Sequence, residues 1–130
     1  MFTGIDHPAI ACYDVKKQID WYCKMLGMRV VASNEKDPPS AVVGYDSSVR
    51  GGAMIELMPA REPGARPDES ARFAPGLRHV ALRVENFDDA YNTLKRAGIE
   101  FLFEPATAVG GGKIVSFRDP EGNELQIVQR

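Results

Sequence analysis

Asp6-His7-Pro8-Ala9-Ile10 and Arg78-His79-Val80-Ala81-Leu82 lie 72 residues apart, and laying one on the other pairs His with His and Ala with Ala. These are the only two histidines in the chain. Outward from each stretch the same series of elements unfolds. Residues 5–12, bounded by Gly4 and Tyr13-Asp14, read as a strand. Asp14 is an N-cap, Val15, Ile19, Tyr22, Cys23 and Leu26 recur at helical spacing, and Gly27 supplies a stop, which predicts a helix over 15–26. Strands follow at 28–33, 41–45 and 53–58, separated by the Pro38-Pro39 loop and the Gly51-Gly52 turn.

After an exposed stretch over 59–76 the order restarts with a strand at 77–85. Asn86 is the next N-cap; Phe87, Ala90, Tyr91, Leu94 and Ala97 form a helical apolar face closed by Gly98, the partner of Gly27 in the repeat. Strands at 99–103, 113–118 and 123–129 complete the set, the last two joined by Asp119-Pro120-Glu121-Gly122. The chain therefore reads as an internal duplication of a βαβββ unit, with one module over about 4–58, a linker over 59–76 and a second module over 77–130. The predicted class is α+β: two βαβββ modules whose curved mixed sheet surrounds a concave cleft.

Parity decides what lines that hollow. A helix covers one side of each sheet, so alternate residues face the open side. The more apolar sets, Ile10 with Cys12 and Val80 with Leu82 and Val84, belong against the helices. That leaves His7 and His79 on the open side. The same count puts Ile55, Leu57, Leu125 and Ile127 in the core and leaves Glu56, Glu124 and Gln126 facing the hollow. Two imidazoles and a carboxylate from separate strands suit a divalent ion such as Zn, Ni, Co, Mn or Fe. Such an ion polarises a carbonyl oxygen and stabilises the enediolate that forms when a nearby carboxylate removes the proton next to it. The plain alternative is that both histidines are polar strand-start residues and Glu56 is solvated.

Composition narrows the classes. With 130 residues the chain buries roughly two-thirds of its unfolded surface, which suits one core-forming domain. Sixteen Lys and Arg against 18 Asp and Glu give a formal charge of −2, with no electrostatic footprint for nucleic acid or for an acidic membrane. No apolar run reaches the roughly 18 residues of a spanning helix, and the start lacks signal-peptide character, so a cytoplasmic protein is expected. Cys12 and Cys23 are expected to be reduced core residues.

Together the element order, His7 in the first strand, Glu56 in Ala53-Met54-Ile55-Glu56-Leu57, His79 in Gly76-Leu77-Arg78-His79-Val80-Ala81, and Phe117-Arg118-Asp119-Pro120-Glu121-Gly122-Asn123 resemble the vicinal oxygen chelate superfamily. Its members include glyoxalase I, methylmalonyl-CoA epimerase, extradiol dioxygenases, fosfomycin-resistance enzymes and metal-free bleomycin-binding proteins. The resemblance covers nearly the whole chain. It implies a glyoxalase-like fold around a metal and substrate cleft, a homodimer, and a ligand set of His7, Glu56, His79 and, four residues after Gly122, position 126. The family pattern has Glu there and this chain has Gln126, which can coordinate through its amide oxygen but cannot accept a proton. Glu56 is then the best remaining base, with Glu124 in reserve about 7 Å along the same strand face.

The leading expectation is a divalent-metal-dependent lyase or isomerase acting on a small carbonyl or thiol-adduct substrate. Two others stand beside it: a metal-free protein that sequesters a small planar or hydrophobic compound, and an Fe(II) dioxygenase. Gly110-Gly111-Gly112-Lys113 is not a phosphate loop, because Ile114 replaces the Ser or Thr and a strand follows; it reads as a flexible rim. Arg61, Arg66 and Arg72 fall in the linker, which would act as a lid over an anionic substrate if it folded back. Trp21 and Tyr22 read as packing or subunit-contact residues.

Overall fold

A computed structural model of the chain describes residues 1, 3–46, 53–61 and 72–130. The Gly51-Gly52 turn, Arg66 and most of the 59–76 stretch lie outside the described residues. The elements are β1 (Ala9–Cys12), α1 (Val15–Leu26), β2 (Arg29–Ser33), β3 (Ala41–Gly44), β4 (Ile55–Pro59), β5 (His79–Arg83), α2 (Phe87–Arg96), β6 (Ala106–Thr107), β7 (Lys113–Arg118) and β8 (Glu124–Gln129). They form two four-stranded mixed sheets, ordered β1-β4-β3-β2 and β5-β8-β7-β6, an α+β arrangement with βαβββ order in each half. The chain divides into two compact units, Met1–Gly64 and Ala65–Arg130, so the expected linker is shared out and Arg72 belongs to the second unit.

In the first unit α1 is capped as its sequence dictates. The Asp14 side chain accepts from the Lys17 amide at 3.1 Å, and Gly27 ends the helix at φ +67°, a conformation that costs glycine no Cβ clash. Val15, Tyr22 and, unexpectedly for an amide side chain, Gln18 are fully buried. Beneath them lie Cys12, Val43, Ile55 and Leu57, all at most 3% exposed. The ladder of β1 begins late because Pro8 has no N–H to give. Its carbonyl still accepts from Glu56 at 2.9 Å, and the Asp6 carbonyl from Met54 at 3.1 Å, so residues 6–8 follow β4 with bonds running one way only.

In the second unit Asn86 caps α2 by accepting from Asp89 at 3.1 Å, with acidic residues in the first turn and Lys95 and Arg96 in the last, as the helix dipole favours. The strand expected over 99–103 is present only as a bridge between Phe101 and Phe117, and pairing resumes at Ala106–Thr107. Ring packing directs this stretch: Phe101 stacks on Tyr91 at 4.6 Å and meets Phe117 edge-on at 6.2 Å, while Pro105 offers no donor to a ladder.

Asp119 organises the turn that aligns β7 with β8. Its carboxylate accepts from the Glu121 and Asn123 amides at 3.0 and 2.9 Å and from the Asn123 side chain at 2.9 Å. This turn sets Arg118 opposite Glu124 and Ser116 opposite Gln126. Among the described residues no helix is long and apolar enough to cross a membrane.

Candidate functional site

The two outer strand pairs carry the candidate residues in matching registers. In the first unit parallel pairing sets Ala9 beside Glu56; in the second it sets Ala81 beside Gln126. Since Ala9 and Ala81 are equivalent in the repeat, Glu56 and Gln126 occupy equivalent places, and so do Met54 and Glu124. Across the antiparallel ladder Glu56 faces Val42, whereas Gln126 faces Ser116. The repeat is thus kept in backbone and altered in side-chain chemistry.

In the first unit His7 and Glu56 meet. His7 Nε2 lies 3.2 Å from Glu56 Oε2, and on the other side of the ring Nδ1 lies 2.6 Å from Asp6 Oδ1. The His7 and Glu56 side chains are about a third exposed, at 33% and 30%. Asp6, hydrogen-bonded to the ring, is the main cause of an imidazole pKa raised above its ordinary value; partial burial opposes it and Glu56 adds to it. Parity alone would have turned Asp6 and His7 to opposite sides, but they precede the regular part of β1, where alternation is not enforced.

In the second unit His79 opens β5 as the register partner of Glu124, and Gln126 lies two residues further along β8. The Gln126 side-chain nitrogen donates to Ser116 Oγ at 3.2 Å. Glu124, the reserve candidate, is engaged elsewhere: Arg72 grips it with Nε at 2.9 Å and a terminal nitrogen at 2.8 Å. Its side chain is 5% exposed and that of Arg72 23%. Burial pushes the Glu124 carboxyl pKa up, but hydrogen bonds from Arg72 and Ser116, with the charges of Arg72 and His79, more than offset this and hold it below the usual range. Glu124 is therefore a paired structural anion. The Arg72 guanidinium also lies over the rings of Phe73 and Phe103, at 5.1 and 4.8 Å.

Sequence reasoning did not single out Asp6 or Ser116 as partners of site residues. Ser116 was legible by counting back across the Asp119 turn from Gln126; Asp6 was visible only as an acid next to a histidine. The glycine stretch expected as a flexible rim is held. Gly110, Gly111 and Gly112 all have φ above +80°, a Cβ on Gly112 would fall 1.9 Å from the Gln129 carbonyl oxygen, and Arg130 donates to the carbonyls of Val109 and Gly111. Among the described residues no three His, Cys, Asp or Glu side chains group as a metal site.

The profile of the Glyoxalase/Bleomycin resistance protein/Dioxygenase superfamily matches residues 4–127. The chain belongs to this superfamily. Among its relatives, the uncharacterized protein YurT of Bacillus subtilis is 35% identical over 126 residues, 94% of this chain and 95% of its own length. Lactoylglutathione lyase of Escherichia coli O157:H7 is 26% identical over 127 residues, with 95% and 90% covered. The crystal structure of the glyoxalase family protein from Enterococcus faecalis superposes with a TM-score of 0.71 at 27% identity, covering 98% of both chains. The two mixed sheets and two helices are those of the glyoxalase-like fold.

Proposed function

We propose that this superfamily member is a divalent-metal-dependent lyase or isomerase acting on a small carbonyl compound or thiol adduct, with His7, Glu56, His79 and Gln126 as the ligand set. The observation that carries this reading is the Asp6–His7–Glu56 arrangement. Two donor atoms sharing one ion at about 2.1 Å each stand roughly 3.0–3.4 Å apart in octahedral or tetrahedral shells, and His7 Nε2 and Glu56 Oε2 stand 3.2 Å apart. Behind the ring, Asp6 accepts from Nδ1–H and so leaves Nε2 to face outward, the usual tautomer control at metal-bound histidines. The donor set, two imidazoles, a carboxylate and an amide oxygen, fits a borderline ion such as Zn, Ni, Co, Mn or Fe. The relatives named lactoylglutathione lyase support the reaction class.

A bound ion would supply Lewis acidity to a substrate carbonyl oxygen. Proton removal from the neighbouring carbon then falls to Glu56, since an amide at 126 cannot take a proton and Glu124 is occupied by Arg72. The implied homodimer is part of the same proposal and is checked by sedimentation. Elemental analysis of untagged protein purified without added metal tests the metal reading, with a near-stoichiometric divalent ion as the expected result. No ion, and no tight binding on titration, would overturn it.

The amide at 126 favours a second reading, a metal-free protein that sequesters a small planar or hydrophobic compound. It predicts that His79→Ala leaves ligand affinity unchanged, and a large loss rejects it. Oxygen uptake with catechols would instead indicate the Fe(II) dioxygenase reading.

A further inference from the structure

Arg72, Phe73 and Phe103 form a fixture within the second unit that the proposed chemistry leaves unused. Arg72 turns the edge bearing Nε and a terminal nitrogen toward the two oxygens of Glu124, at 2.9 and 2.8 Å. With such an edge an arginine grips an anionic substrate, and here it is taken. The guanidinium lies over the Phe103 ring at 4.8 Å and the Phe73 ring at 5.1 Å, so its anchorage on β8 holds Phe73 as well. Phe73 is nevertheless 87% exposed. Glu124 and Gln126 share the face of β8 away from α2, because Leu125 and Ile127 take the buried positions against that helix. Glu124 is also the register partner of His79. The ring therefore stands beside the strand pair that carries His79 and Gln126. Leu77, two residues ahead of His79, is 74% exposed.

We infer that Phe73 is a specificity-determining residue, a ring kept beside His79 and Gln126 to receive an aromatic substituent of the substrate, with Leu77 at its margin. The substrate class narrows to aryl-bearing carbonyl compounds. A phenylalanine on a slack chain gains little from a ligand, because ordering the side chain offsets part of the contact. A ring already resting on an anchored guanidinium has less to lose. Its exposed side can stack with a second ring, at centroid separations of about 4.5–7 Å. With Arg72 committed to Glu124, this flank offers an apolar surface in place of the cation that a lid over an anionic substrate would need. The placement of the ring is independent of any metal; its use by a substrate rests on the proposed function.

Hydroxamates, which chelate a metal through two oxygens, serve as probes on cobalt-loaded protein. After correction for their affinities for free cobalt(II), calorimetry should find benzohydroxamate binding about tenfold tighter than acetohydroxamate. Succinate monohydroxamate, which carries a carboxylate, should bind no tighter than acetohydroxamate. Phe73→Ala should close the gap, and Phe73→Tyr should keep it. Equal affinities in the unmutated chain, a gap that survives Phe73→Ala, or a preference for the anionic probe would overturn the inference. So would sedimentation showing that Phe73→Ala separates subunits, since the ring would then be a subunit contact. If the chain takes up no cobalt, the metal reading fails and the ring is tested alone. On metal-free protein with 13C-labelled phenylalanine, benzohydroxamate should shift the ring signals that Phe73→Ala removes, and unmoved signals would overturn the inference. If cobalt binds tightly and the gap is absent, the inference fails by itself.

Discussion

His7 lies between two carboxylates, with Asp6 Oδ1 2.6 Å from Nδ1 and Glu56 Oε2 3.2 Å from Nε2. One acid aims the ring and the other shares its outward face. Asp6→Asn keeps the shape but weakens the bond that sets the tautomer, and loss of such a partner at a metal-bound histidine costs about ten- to hundredfold in metal affinity. Competition against a chromophoric chelator should show that loss for Asp6→Asn and a larger one for His7→Ala. An Asp6→Asn affinity equal to that of the unmutated chain would mean that Asp6 does not serve the ring.

Gln126 occupies the place that Glu56 occupies in the other half of the repeat. Converting it to the acid adds a charge for a cation and a group able to take a proton. Gln126→Glu is therefore expected to raise metal affinity, isomerase activity, or both, measured by titration and by turnover of hemithioacetals. If both stay level or fall, the amide is the fitted residue and the acid is not missing.

Arg72→Ala strands a carboxylate that is 5% exposed. Breaking a buried pair typically costs about 3–5 kcal/mol, and with Arg72 still partly in water about 2–3 kcal/mol is expected from denaturant unfolding at neutral pH. The folded-state pKa of Glu124 lies below its ordinary value, so its contribution is fully present above the unfolded pKa near 4.3 and disappears as pH falls through the lower folded value. The stability gap between the unmutated chain and Arg72→Ala should accordingly be constant near neutrality and close in acid. A gap that widened in acid would contradict the pairing.

Gly112 cannot accept a side chain where it stands. Its φ is +91° and an added Cβ meets the Gln129 carbonyl oxygen at 1.9 Å, so Gly112→Ala should destabilise by at least about 2 kcal/mol, whereas Gly111→Ala, with nothing within 4 Å, should lose only about 1 kcal/mol of backbone strain. Thermal melts of the two variants distinguish a held loop from a slack one.

Burial, and secondarily the charge of Asp20, push the Cys23 thiol above its ordinary pKa, while Cys12 is fully buried. Native protein should react slowly with a disulfide reagent at pH 7, through Cys23 alone, and faster as pH rises beyond the ordinary thiol range. Fast modification at pH 7 would show that the helix face carrying Cys23 is open.

Much of this was legible because it is local. Asp14 and Gly27 bracket α1 at the residues where it begins and ends, and the two-residue alternation that put Ile55 and Leu57 inward also put Glu56 on the side where it meets His7. The Arg72–Glu124 pair was not legible, because the partners are 52 residues apart and each alone reads as a surface charge. Nor was the interruption after Ile99, where ring packing overrode a strand-like run. The glycine stretch misled for a related reason: glycine signals either freedom or confinement, and only the approach of Gln129 decides which.

Pro8 makes the first strand accept bonds it cannot return, while Ser116 and Glu124 sit in a ladder bonded from both sides. The stretch that carries His7 is therefore the compliant edge of its unit and β8, paired on both sides, the stiff middle of its own, so amide hydrogens at Asp6 and His7 should exchange with solvent long before those along Glu124–Gln129.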